Sequence, residues 1–189
     1  MKYIKKTIEQ CAEVIPGVLD QKGSGSEYLL YDAVLPNQIT SSGFINEYGK
    51  VQRAGIDKAF FLQVGDILIK RLNPDCAVVF EDEAVQALPS ANLFVIRPCR
   101  DLLDSYYLAA IMESSNAFGR LSQRSGIGSA VSAVTVSQIR NYEIPLPSLE
   151  EQRKFGELWR CAKKRNNLLQ NLISENNRLL RSISEKLYQ

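Results

Sequence analysis

Histidine is absent from this 189-residue chain, and with it go the Ser-His-Asp triad, the histidine general base and the commonest protein ligand for transition metals. Cysteine is scarce. Cys11, Cys76, Cys99 and Cys161 form no C-x-x-C pair, which argues against a zinc ribbon or a dithiol couple and for reduced thiols in a cytoplasmic protein. No apolar run approaches the ~20 residues of a bilayer span, and Met1-Lys2-Tyr3-Ile4-Lys5-Lys6 has no signal-peptide core. The expected location is therefore cytoplasmic, with no membrane partner. An excess of one charge is also missing: 23 basic residues face 21 acidic ones, for a net +2. Affinity for a polyanion would have to come from local patches.

Beyond Pro147 the chain has no proline and a single glycine, Gly156. The stretch before it, Ile144-Pro145-Leu146-Pro147, is extended, because each proline fixes its own φ and disfavours helix in the residue before it. Ser148 then starts a helix: its hydroxyl accepts from the N–H three residues on while Glu151 reaches back, and Glu150 and Glu151 favour the positive helix end. Phe155, Leu158, Ala162, Arg165, Leu169, Leu172, Asn176, Leu179 and Ile183 then step by three and four alternately, a heptad seam with two polar positions. A helix over 148–189 would be roughly 60 Å long, more than one small domain needs. Leu168, Ile173, Leu180 and Leu187 widen the stripe, which suits two or more neighbouring helices or, alternatively, burial on the chain's own domain.

With 45% hydrophobic and 23% charged residues, the remainder has the makings of one globular core. Thr7-Ile8-Glu9-Gln10 predicts the start of a short helix ended by Pro16-Gly17, and Gly23-Ser24-Gly25-Ser26 a loop. A strand is expected over 27–35, a long irregular insertion over 36–58, and two short strands, 60–64 and 67–69, around Gly65-Asp66. Further strands are expected over 76–80 and 93–96. Helices are expected over 102–112, capped by Asp101, and over 135–140. The expected fold class is α+β: a small mixed domain with a short-stranded sheet over 1–147, followed by a long coiled-coil-forming helix over 148–189.

Complete catalytic motifs are hard to find. Asn73-Pro74-Asp75-Cys76 has neither the second proline nor the aromatic ring with which amino-methyltransferases hold a flipped base. Pro74-Asp75 and Glu81-Asp82-Glu83 lack the lysine of a metal-dependent nuclease and read as acidic turns. Gly23-Ser24-Gly25 and Gly126-Ile127-Gly128 lack the lysine of a phosphate loop. Two polar segments have the composition of a nucleic-acid surface, or equally of ordinary loops. One spans 38–58 and includes Ser41, Ser42, Lys50, Arg53 and Lys58. The other spans 120–129 and includes Arg120, Gln123, Arg124 and Ser125. Lys70 and Arg71, leaving a buried strand, are further candidate phosphate or base contacts, and Arg97 beside Pro98 is assigned to structure.

Four segments in order resemble the specificity subunits of type I restriction-modification systems: Gly65-Asp66-Ile67-Leu68-Ile69-Lys70-Arg71, Asn92-Leu93-Phe94-Val95-Ile96-Arg97-Pro98, Ser125-Gly126-Ile127-Gly128-Ser129, and the specific Ile144-Pro145-Leu146-Pro147-Ser148-Leu149-Glu150-Glu151-Gln152-Arg153. The resemblance implies a target recognition domain that binds half of a split sequence in double-stranded DNA, followed by a spacer helix. It also implies a non-catalytic role with no cofactor of its own. A methyltransferase (modification) subunit would supply S-adenosylmethionine and the base-flipping pocket, and a restriction subunit would act through it. Such subunits carry two recognition domains and two antiparallel helices. One of each here implies a homodimer, or pairing with another half-subunit, through the seam from Phe155 to Ile183. The competing expectation is a helix-mediated assembly protein derived from the same domain that no longer recognises DNA.

Overall fold

The computed structural model describes residues 3–21, 23, 27–114, 117–123 and 133–188. Ser24–Ser26 of the expected glycine-serine loop, together with Arg124 and Ser125, lie outside them. The strands in chain order are β1 Ile4–Thr7, β2 Ala12–Pro16, β3 Tyr28–Val34, β4 Gly49–Ala54, β5 Ile67–Lys70, β6 Ala77–Val79, β7 Ala87–Pro89, β8 Leu93–Pro98 and β9 Glu143–Leu146. The helices are α1 Ser105–Ser114, α2 Ala117–Gln123, α3 Val136–Arg140 and α4 Leu149–Leu187.

An antiparallel sheet in the order β2-β8-β5-β6 forms the middle layer. Side chains alternate across it. Ile67, Ile69, Ala77, Phe94 and Ile96 enter one cluster with Tyr107, Leu108 and Met112 of α1, while Leu68, Val78, Leu93 and Val95 enter a second on the opposite face. A sheet covered on both faces has no polar side, which is why β5 and β8 read as unbroken apolar runs. The second face is covered partly by a three-stranded sheet, β4-β3-β7, in which β3 pairs antiparallel with β4 and parallel with β7. A third ladder, β1 with β9, sets Ile4 opposite Leu146 and Thr7 opposite Glu143 just before the long helix begins.

Several local expectations are corrected. Only the turn Ile8–Gln10 is helical after Thr7. Gln10 Oε1 accepts from Thr7 N at 3.0 Å, but the Thr7 hydroxyl is buried without a partner, so half of the capping box is missing and the chain continues as β2. Within the expected insertion, 49–54 is strand β4; only Val51 of it is buried, so polar composition hid a half-covered edge strand. Residues 60–64 are not a strand. Gly65 has φ +92°, and the preceding segment is held by Arg97, which donates to the carbonyls of Ala59 at 3.2 Å and Phe61 at 3.0 Å. Asp104, not Asp101, caps α1, its Oδ1 accepting from Tyr107 N at 2.9 Å. The helix over 136–140 forms with Thr135 as its cap. At Ser148 both halves of the box are made: Glu151 N donates to Ser148 Oγ at 3.3 Å, and Ser148 N to Glu151 Oε2 at 3.0 Å.

Candidate nucleic-acid interface and helix junction

The first half of α4 is fastened to the globular part by one face. Gln152, 1% exposed, accepts from Asp104 N at 3.0 Å and donates to the carbonyls of Leu102 and Pro147 at 3.1 and 3.0 Å. One turn on, Gly156 is buried against the start of α1, where a Cβ would stand 2.6 Å from Asp104 Oδ1 and 2.8 Å from Tyr107 N. Arg160 then meets Glu81 at 3.1 Å and lies over the Tyr106 ring at 4.9 Å, and Lys164 reaches the same carboxylate at 3.4 Å. Lys163 pairs with Glu113 at 2.8 Å, and that carboxylate also accepts from Ala77 N of β6 at 3.0 Å. Finally Ser42 donates to Asn167 Oδ1 at 2.8 Å. Residues 152, 156, 160, 163 and 167 recur every three or four positions, so they form one stripe.

Electrostatics follow from this packing. Burial alone would raise the pKa of Glu81, but hydrogen bonds from Arg160 and Tyr106 and the charges of Arg160 and Lys164 hold it below the ordinary value. Arg160 is raised in turn, chiefly by its hydrogen bond to Glu81. Burial, and then the hydrogen bond to Asp82, pushes Tyr48 up to about 12. The acidic turn Glu81-Asp82-Glu83 is therefore largely engaged, with two of its three carboxylates fastened to other elements. A cavity of about 350 Å³ remains between this turn, the loop 43–48 and α4, lined by Tyr48, Tyr106, Trp159 and Arg160 among others.

The heptad seam lies on a different face. Phe155 is 44% exposed, Leu158 69%, Leu169 51%, Leu172 58%, Leu179 59% and Ile183 47%; Arg165 and Asn176 are also exposed, and only Ala162 is half-buried. From Leu168 to Leu187 every residue of α4 is exposed. Apart from Phe155, whose ring meets that of Tyr107 edge-on at 6.0 Å, and the half-buried Ala162, the chain's own domain does not cover the seam.

Candidate contact residues fall into groups. Lys70 Nζ is paired with Asp75 at 3.1 Å, and Asp75 Oδ1 lies 3.3 Å from Cys76 Sγ, which in turn faces the Thr40 carbonyl at 3.8 Å. That chain of contacts links Lys70 to the loop carrying Ser41, which is exposed, and Ser42. Arg71 is exposed while its backbone is pinned: its N–H donates to Asn92 O at 2.8 Å, and its carbonyl accepts from Val134 N at 2.9 Å. Arg120 is exposed on α2, and Gln123 ends that helix. Lys50 and Arg53 lie on the separate β3–β4 ribbon. Lys50 pairs there with Asp32 at 2.7 Å, and Arg53 donates to Leu19 O at 3.4 Å. Lys58 is exposed at the head of a 3₁₀ turn.

This fold has counterparts among known proteins. Residues 29–175 match the family described as Type I restriction modification DNA specificity domain. The chain belongs to this family. Over 127 residues it is 26% identical to a curated protein described as a type I restriction enzyme MjaX specificity subunit from Methanocaldococcus jannaschii, covering 64% of this chain and 28% of that protein. The HsdS subunit from Thermoanaerobacter tengcongensis shares the fold with a TM-score of 0.66 at 19% identity, over 92% of this chain and 45% of its own. The type I restriction-modification S subunit from M. genitalium does so at 0.59 and 14% identity, over 94% and 43%. The chain thus spans less than half the length of each of these relatives.

Within this specificity domain, sequence reasoning found the seam and missed the docking stripe. Gln152, Arg160, Lys163 and Asn167 look like the solvated side of an amphipathic helix, and their partners on the domain lie 48 to 125 positions away in sequence. The one local signal was Gly156, a helix-weakening residue in the middle of a strong helix. Arg97 is structural as expected. It grips Asp66, whose side chain is 1% exposed, through two hydrogen bonds of 2.8 Å. Among the described residues no helix is long and apolar enough to cross a membrane.

Proposed function

We propose that the chain supplies one recognition domain, residues 1–147, and one spacer helix, 148–189, of a DNA specificity subunit. It pairs through the helix with a second such unit, another copy of itself, and reads a bipartite duplex site. In this reading it is non-catalytic, holds no cofactor and works in the cytoplasm. It directs a methyltransferase subunit, and through that a restriction subunit, to the site. The observation that carries the proposal is the bare seam. A helix fastened by one stripe and apolar along another is built for a second helix, and membership of the specificity family supplies the DNA-reading role. Helix length would then set the gap between half-sites. Ser41, Ser42, Lys50, Arg53, Lys58, Lys70, Arg71, Arg120, Gln123, Arg124 and Ser125 are the proposed contacts. Of these, Arg71, Arg120 and Arg124 carry the phosphate-binding charge, since Lys50 and Lys70 already face carboxylates.

The test is duplex binding by the chain together with its modification subunit. Selective binding should fall steeply with salt, and Arg124→Ala should lower the slope of log K against log salt by about 0.9 without unfolding the domain. Equal affinity for every duplex refutes the reading. The contact between Ser42 and Asn167 favours a second reading, an assembly protein whose loop serves its own helix. That reading predicts helix association with no sequence selectivity.

A further inference from the structure

The apolar surface of α4 widens along its length. In heptad terms Phe155 and Leu169 are a positions, and Leu158 and Leu172 d positions. In the first half the adjoining e column holds Gln152 and Trp159, both turned toward the chain's own domain. In the second half it holds Ile173, Leu180 and Leu187, which are 60, 62 and 81% exposed. The seam also carries two exposed polar residues, Arg165 at d and Asn176 at a, and among the described residues Arg165 makes no ion pair. A partner helix has to satisfy all of these at once.

We propose, resting on the helix-paired reading above, that the partner is a second copy lying antiparallel, with the two-fold axis passing between Gln170 and Asn171. In an antiparallel pair each layer joins an a residue of one helix to a d residue of the other. With the axis at that place, Leu169 meets Leu172, Leu158 meets Ile183, and Arg165 meets Asn176, a cationic donor against an amide oxygen, once on each side of the axis. Sliding by one heptad sets Asn176 against Leu158 or Leu172, and Arg165 against Leu169 or Ile183. Each of those arrangements leaves both polar groups unpartnered in an apolar layer. A parallel, in-register pair places Arg165 against Arg165, like charges in one layer.

The same register accounts for the widening. In an antiparallel pair the e column of one helix runs beside the e column of the other. Leu180 of one copy therefore lies alongside Trp159 of the second, where that copy's recognition domain stands against its helix, and Leu187 lies one heptad further on, beside Gln152. The second half of α4 is covered by the other copy's helix and by its domain junction together, and the two Ser148 caps sit roughly 70 Å apart.

The experiment is sedimentation equilibrium of the full chain and two variants. Asn176→Glu places a carboxylate opposite Arg165 in both polar layers. Asn177→Glu makes the same change of charge and helix propensity one residue on, at an exposed position off the seam. Relative to Asn177→Glu, the Asn176→Glu dimer should be roughly threefold to tenfold tighter, as two ion pairs of surface strength form per dimer. A dimer that Asn176→Glu leaves unchanged or weakens relative to that control overturns the register while helix pairing stands. A chain that stays monomeric in all three forms at its highest soluble concentration overturns helix pairing, and the register with it.

Discussion

Replacing Gly156 by alanine sets two effects of opposite sign against each other. Alanine is the better helix former by about 1 kcal/mol in a helix interior, and at an exposed position it would stabilise. Here the new Cβ would stand 2.6 Å from Asp104 Oδ1, 2.8 Å from Tyr107 N and 3.0 Å from Tyr106 Cβ. Two of those atoms are the acceptor and donor of the α1 cap, bonded to each other at 2.9 Å, so neither can swing aside as a flexible side-chain tip would. Relief requires α4 to retreat from α1 or the cap to open. Overpacking of this kind costs about 1–3 kcal/mol, and a lost cap about 1 kcal/mol. With roughly 2–4 kcal/mol lost when both occur against about 1 gained, the net is a destabilisation of about 1–3 kcal/mol, or roughly 2–12 °C in a domain of this size. Trp159, the only tryptophan, lies at the junction and reports on it by fluorescence. Glycine-to-alanine should lower the melting temperature and shift Trp159 emission to the red, while Asn177→Ala, exposed on the same helix, should raise the melting temperature slightly. A Gly156→Ala variant that melts higher than the native chain would refute the close approach of α1 and α4.

Acid should open the same junction. Because the folded pKa of Glu81 lies below its ordinary value of 4.5, its contribution is fully present above that value and is lost as pH falls through the folded one. Trp159 emission should therefore move to the red in acid below about pH 4.5, and Glu81→Gln should flatten that step. Removing Arg97 strands the buried Asp66 carboxylate: Arg97→Met should cost about 3–5 kcal/mol in urea unfolding, and a change under 1 kcal/mol would show that the pair is not buried as described. Thiol titration of the native chain should release two fast equivalents, from the exposed Cys99 and Cys161, and two only on unfolding. Cys11 and Cys76 are the slow pair, since burial raises both and, with Asp75, pushes Cys76 up to about 12.

Much of the architecture was legible because it rests on short-range chemistry. The prolines at 145 and 147, the Ser148 to Glu151 box and the three-four spacing from Phe155 to Ile183 act within a few residues of one another, so they determine where the long helix begins and which seam it offers. The apolar runs at 67–69 and 93–96 likewise announce strands, although not that both of their faces are covered. Tertiary structure alone decided the rest. It made an edge strand of the polar stretch 49–54, since pairing with β3 requires only backbone groups and one buried side chain, Val51. It also made anchors of Glu81, which reads in sequence as part of an acidic turn, and of Glu113, for Arg160, Lys163 and Lys164. The sequence by itself determined that a helix would leave the domain with an apolar seam. Only the fold decided which stripe faces home and which stays open, because that choice depends on charges far apart in the chain meeting across the junction.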